Sequence, residues 1–259
     1  EAWGLALRAA LPSLPWLAGL MVTAGLYRLT LYLQVGAIIN LMLLVVVFAA
    51  GVAFSLKVYR SMLGASSGTF LKLAHANLAI YMAFLFVGVF IAFFLAILPG
   101  ILLEVSGRTD LDAKTDPAIV QAAFMDMLPT AYGAVFILAC ALGLWALCFF
   151  AIRLLLVGAA TVSRGETMVF RTWPWTKGHA LRLSIAAMAT HVGPFFAAIA
   201  INAALAPLLG TAPAGLFIGG ALGVLLLAPF LLAGHGLAVS ALPRLAPDAA
   251  ELDEIATSG

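Results

Sequence analysis

The sequence predicts an all-α protein, a polytopic transmembrane helical bundle of about six spans with amphipathic interfacial helices in its inner and outer connections. Three observations carry this. Of the 259 residues, 64% are hydrophobic and only 9% are charged. An ordinary soluble domain carries about a quarter charged residues, so this chain cannot cover itself with polar surface. Mean hydropathy is +1.15. The apolar residues also fall into six runs, each close to the roughly 20 that a helix needs to cross a hydrocarbon core of about 30 Å.

Taken in order, the first run covers residues 14–33 and contains Arg28; the second, 35–56, stops at Lys57 and Arg60. The third, 78–103, is rich in Phe and ends at Pro99, Gly100 and Glu104. The fourth, 132–157, holds Trp145, Cys140 and Cys148. Eight residues apart on one helix, the two cysteines are about two turns from each other, too far to bond, and read as small buried hydrophobes. The fifth covers 183–209 and the sixth 214–242. Together they make one transmembrane domain, 1–242, followed by an acidic, Pro-bearing tail, 243–259. The first residues lack the basic start and small-residue cleavage site of a secretory signal. The chain opens on Glu1 rather than methionine, as a segment of a longer protein would.

Orientation follows from Lys and Arg in the short connections. Ten of the 13, among them Arg8, Lys57, Arg60, Lys72 and Arg244, fall on one side; Arg28, Arg108 and Lys114 fall on the other, with Glu104, Asp110, Asp112, Asp116 and Asp126. This bias places both termini in the cytoplasm of a bacterial inner membrane. A net charge of +2 leaves no nucleic-acid footprint.

The outer connection after the third span offers Asp116-Pro117 as N-cap and first position of a helix running toward Pro129. Its apolar residues recur at helical spacing, so it lies on the outer membrane surface or caps the spans as a solvated loop. The inner connection, 153–183, carries Arg153, Arg164, Arg171, Lys177 and Arg182 against one acid, Glu166, with Trp173 and Trp175 flanking Pro174. Ser163 to Glu166 fits a capping box that would start a short helix through Phe170 and Thr172, ended by Pro174. Thr176 is then a cap for the fifth span. Cations beside indole rings suit the headgroup level of anionic lipid.

Arg153, Trp173, Thr176, Lys177 and Gly178, with Arg60, Met62, Leu63 and Gly64 after the second span, carry a resemblance. The chain resembles the YciC-like bacterial inner-membrane proteins and the membrane domain attached to some glycerophosphodiester phosphodiesterases. The resemblance implies a six-helix inner-membrane fold with amphipathic inner connections and no particular activity. Arg60 to Gly64 and Arg153 to Gly158 also echo each other, as an internal repeat of two hairpins would.

Ionisable groups at membrane depth are the default functional candidates. His191 and His235 each lie seven or eight residues inside the same face, where they suit a proton relay, a bis-His haem b, or two neutral packing groups. No set of ligands is spaced for a metal. Arg28 and Glu104 are expected to form a structural ion pair between the first and third spans. Gly215, Gly219 and Gly223 form a helix-packing stripe toward a partner within the chain, a second copy or another membrane protein. Pro194, Pro207 and Pro229 kink or break the last two spans. No nucleophile motif, phosphate-cradling loop or acid–base pair falls within a span. The expected role is non-enzymatic and cofactor-free: an accessory or scaffold subunit of a membrane complex, or a component that binds anionic lipid. The alternatives are a small transporter or lipid carrier using the last two spans, and a haem-bearing redox subunit.

Overall fold

The structure, a computed structural model, describes residues 1–64, 67–111 and 114–247. Among them there are eight α-helices and no strand: α1 (Ala2–Tyr32), α2 (Ala37–Leu63), α3 (Phe70–Val105), α4 (Pro117–Met127), α5 (Ala131–Leu154), α6 (Val157–Arg164), α7 (Ala180–Leu209) and α8 (Pro213–Leu245). Six are long and apolar enough to cross a membrane when α5 and α6 are counted as one. The first span starts earlier than residue 14, because nothing in Ala2–Ser13 stops a helix. Pro12 and Pro15 lie inside α1, and the Ser13 hydroxyl, 1% exposed, donates back to the Ala9 carbonyl at 2.7 Å. Pro194, Pro207 and Pro229 likewise sit inside continuous helices, so they do not break the last two spans. Residues 243–245, expected in the tail, prolong α8; the tail's residues 248–259 and Asp112 lie outside the described residues.

The chain divides into two compact units. The first comprises residues 1–79 and 152–247 of the described chain and is organised on α1 and α8, which run antiparallel. Inside lipid no hydrophobic drive pulls helices together, so close contact depends on small side chains. The buried residues of α1 are mostly small: Ala2, Ala6, Ala9, Ser13 and Gly25, with Leu17 and Leu20. On α8, Gly236 lies against the Ala2 carbonyl at one end. At the other end a Cβ on Gly25 would stand 2.8 Å from the Phe217 carbonyl oxygen, and one on Gly220 would stand 2.9 Å from the Gly25 Cα. The largest core cluster of this unit joins Val52, Leu56, Tyr59, Leu73, Val162 and Met168 with Ala238 and Leu242.

The second unit, residues 80–151, is a helical hairpin of α3 and α5 closed by α4. Asp116 caps α4 as its sequence suggests, its Oδ1 accepting from the Ala118 amide at 2.8 Å. Ala123 and Met127 of α4 pack on Leu102 and Leu103, and Phe124 meets Phe136 edge-on at 5.2 Å. The connection thus forms a helix packed over the end of the hairpin rather than a solvated loop. Farther along, Phe90, Phe94, Leu95 and Gly143 line an apolar groove of about 290 Å³.

Candidate functional site

The basic end of the first unit is built from the two inner connections. The α5 backbone is interrupted at Leu155–Leu156 and resumes as α6, whose sequence VGAATVSR supplies mostly small side chains. Residues 157–162 are all buried. Gly158 is required by a neighbour: a Cβ there would lie 2.5 Å from the Tyr59 hydroxyl. Gly165, at φ +68°, ends the helix in the left-handed conformation that only a residue without Cβ adopts freely, its amide donating to the Thr161 carbonyl at 3.0 Å.

This stop overturns the expected capping box. Ser163 lies within the last turn of α6, where it cannot act as an N-cap, and residues 166–173 form turns rather than a helix. Glu166 instead pairs with Arg171 at 3.2 Å on the exposed surface. The chain folds back over α6, with the Met168 amide donating to Thr161 Oγ1 at 3.2 Å. Pro174–Thr176 is a single 3-10 turn, and the Thr176 hydroxyl donates to the Trp173 carbonyl at 3.0 Å. Thr176 therefore caps nothing in α7, whose N-cap position is His179.

Two arginine–tryptophan contacts hold this fold-back in place. The Arg153 guanidinium, in a residue only 6% exposed, sits 4.8 Å from the Trp173 ring centre, and that of Arg164 sits 4.7 Å from the Trp175 ring. Such contacts contribute about 0.5–1 kcal/mol when exposed and about 2 when desolvated. Three cations also bind backbone carbonyls, one within its own connection, one between two connections and one on the segment after α8. Arg60 donates to the Gly68 carbonyl at 2.8 Å, Lys72 to the Gly165 carbonyl, and Arg164 to the Pro247 carbonyl at 2.7 Å. The Gly68 amide donates to the Val162 carbonyl at 3.0 Å, and a Cβ on Gly68 would stand 2.5 Å from the Val162 Cα. The two segments that echo each other in sequence thus have different places: Arg60 is exposed, Arg153 is buried, and their connections pack on one another.

Of the seven predicted interface residues, Arg153, Arg164, Trp173 and Trp175 are turned into this fold, while Arg171, Lys177 and Arg182 are exposed. Tyr59 and Gly68 belong to the site without any signal in the sequence, whereas Lys72 stood among the basic-side cations and Gly158 in the echoed segment.

The histidines occupy neighbouring helices. His191 Nδ1 lies 2.9 Å from the Ala187 carbonyl oxygen and 2.7 Å from Thr190 Oγ1, and its ring meets Phe230 edge-on at 4.9 Å. His235 Nδ1 lies 2.6 Å from the Leu231 carbonyl oxygen, and its ring lies 4.5 Å from that of Tyr59. A carbonyl only accepts, so Nδ1 carries the proton in both rings. The His191 Nε2 faces Gly234 so closely that a Cβ there would be 2.9 Å away.

Among the glycines, Gly219 lies under the Arg28 guanidinium, Gly215 lies against the Leu209 carbonyl, and a Cβ on Gly223 would meet nothing within 4 Å. The glycine that admits a neighbouring backbone is Gly220, one residue off the predicted stripe. Glu104 belongs to the second unit and is exposed. Both cysteines are free thiols; Cys140 is half-buried, and Cys148 is exposed rather than buried.

Six apolar spanning helices define the class: this is a multi-pass, all-helical membrane protein. Beyond that class, no protein-family model, curated protein or solved structure matches the chain.

Proposed function

We propose that this is a non-enzymatic protein of a bacterial inner membrane, oriented with its basic end and both termini in the cytoplasm. In this reading it serves as an accessory or scaffold subunit that engages anionic lipid through Arg171, Lys177 and Arg182. One observation carries the reading: exposed Arg171 and Lys177 sit on a connection locked by the Arg153–Trp173 and Arg164–Trp175 contacts, with Arg182 in the first turn of α7 that follows it. Their positions are therefore preorganised rather than dangling. The excess of Lys and Arg on that side supports the orientation. The resemblance to YciC-like proteins, resting on Arg153, Trp173, Thr176, Lys177 and Gly178, is in keeping with it.

Native mass spectrometry in mild detergent tests the reading. Each surface cation contributes on the order of 1 kcal/mol toward an anionic bilayer, which is about fivefold in partitioning. Replacing Arg171, Lys177 and Arg182 together by Gln should strip co-purifying anionic lipid and leave zwitterionic lipid unchanged. Equal retention of anionic lipid would sink the idea. A second reading, a small carrier, is favoured by the polar string of Thr190, His191, His235 and Tyr59 across α7, α8 and α2. Its test is pH-dependent flux in vesicles, where His191→Ala without effect removes the relay.

A further inference from the structure

We propose that Arg28 binds the phosphate of a phospholipid in the leaflet opposite the basic connections, from a seat that Gly219 opens in α8. Arg28 lies near the end of α1, between Leu26 and Leu31, in a stretch otherwise apolar apart from threonines and tyrosines. A Cβ on Gly219 would stand 2.5 Å from its Nη1 and 3.2 Å from its Cζ, and one on Gly220 would stand 3.1 Å from its Cβ. The side chain therefore runs along the paired glycines, and its direction is set by the α1–α8 contact. The residue is nevertheless exposed on its other side.

The seat supplies shape without a counter-charge. Arg60, Lys72, Arg153 and Arg164 of the same unit each rest on a carbonyl or an indole ring. Among the described residues of its own unit Arg28 has no hydrogen bond, ion pair or ring contact. A charge in an apolar helix is costly without a partner, so its partner comes from outside this unit. Depth identifies that partner. From Gly219 to Leu245, beside the Arg164–Pro247 contact, α8 rises about 39 Å at 1.5 Å per residue. A bilayer measures about 40–45 Å across its headgroup regions. If the basic end lies among one set of headgroups, Arg28 lies among the other, where phosphate is the abundant anion. Exposed Tyr32, one turn on, sits where interfacial aromatics gather. A guanidinium fork matches two phosphate oxygens. Its depth rests on the reading that the basic end lies among headgroups, while the seat itself shares no residue with the inner connection.

The test uses the full chain in phosphatidylglycerol nanodiscs, extracted and weighed intact, as wild type, Arg28→Gln and Gly219→Ala. The alanine methyl would displace only the far end of a flexible side chain, so Gly219→Ala keeps both fold and charge while closing the seat. Expected is the loss of one tightly held phospholipid in Arg28→Gln. Its affinity should fall on the order of tenfold, as for one charge-assisted contact, with a smaller fall in Gly219→Ala at an unchanged melting midpoint. The variant lacking Arg171, Lys177 and Arg182 should keep this lipid. Retention equal to wild type in Arg28→Gln overturns the proposal. So does competition at Arg28 by inorganic phosphate with no change in the lipid count, which would mark a free-phosphate site.

Discussion

The two units cross the same solvent with opposite strategies. In the first, backbones approach at Gly25, Gly220 and Gly236, and Arg60, Lys72 and Arg164 bind backbone carbonyls in the connections and after α8. In the second, the helices meet through side chains: one apolar cluster around Leu102, Leu103, Ala123 and Met127, and ring pairs such as Phe84–Phe150 at 5.4 Å, with a close backbone approach only where Gly133 meets Leu128 in the turn before α5 among the described residues. Lipid tails are as apolar as Leu, so an apolar side chain gains little by leaving lipid for a neighbouring helix. Close backbone approach and polar staples remain strong there, because they exchange poorly with lipid. The first unit should therefore hold its geometry tightly and tolerate little added volume, while the second should tolerate more.

The sharpest test compares glycines. Gly68→Ala puts a methyl into the Val162 backbone and should cost about 3 kcal/mol, the upper range for overpacking. Gly143→Ala in the second unit meets only the Ile91 Cγ2 and Leu95 Cδ1 atoms and should cost under about 1 kcal/mol. Thermal unfolding in detergent reads both, and equal losses would break the comparison. Next in size is the coupling between Arg153 and Trp173. A double-mutant cycle with Arg153→Met and Trp173→Leu should give about 2 kcal/mol; a value near zero would mean that the indole merely fills space.

In the second unit, Asp116→Ala removes the α4 cap and should cost about 1 kcal/mol. Hydrogen exchange over 117–127 should speed about fivefold, while residues 157–176 stay unchanged. The smallest effect is electrostatic. Arg108, 3.1 Å away, holds the Asp110 carboxyl below its ordinary range. Its contribution is therefore present above the unfolded carboxylate pKa and lost as pH falls through the lower folded value. Both groups are exposed, so salt screens the pair. Arg108→Gln should move the Asp110 titration, followed by NMR, up toward the ordinary range, and high salt should move the wild type the same way by less.

The six spans, the Asp116 cap and the imbalance of Lys and Arg were legible because each depends on local composition or on neighbours a few residues apart. The inner connection was legible only in part. Its cations and tryptophans were visible, but a capping box was read where Gly165 ends a helix; both patterns use Ser, Gly and Glu, and only the backbone conformation tells them apart. Of the glycine stripe, Gly219 faces α1, joined there by its neighbour Gly220, while a Cβ on Gly223 would meet nothing within 4 Å. Helical rotation relative to a partner is not encoded in spacing alone.

Composition and charge pattern by themselves determined that this chain spans a membrane as helices, because no other arrangement meets the hydrogen-bonding needs of its backbone in hydrocarbon. Tertiary structure alone decided which cations are spent on carbonyls and indoles and which are left for a ligand. That assignment depends on contacts between residues nearly a hundred positions apart, as between Lys72 and Gly165, and no local preference specifies such a pairing.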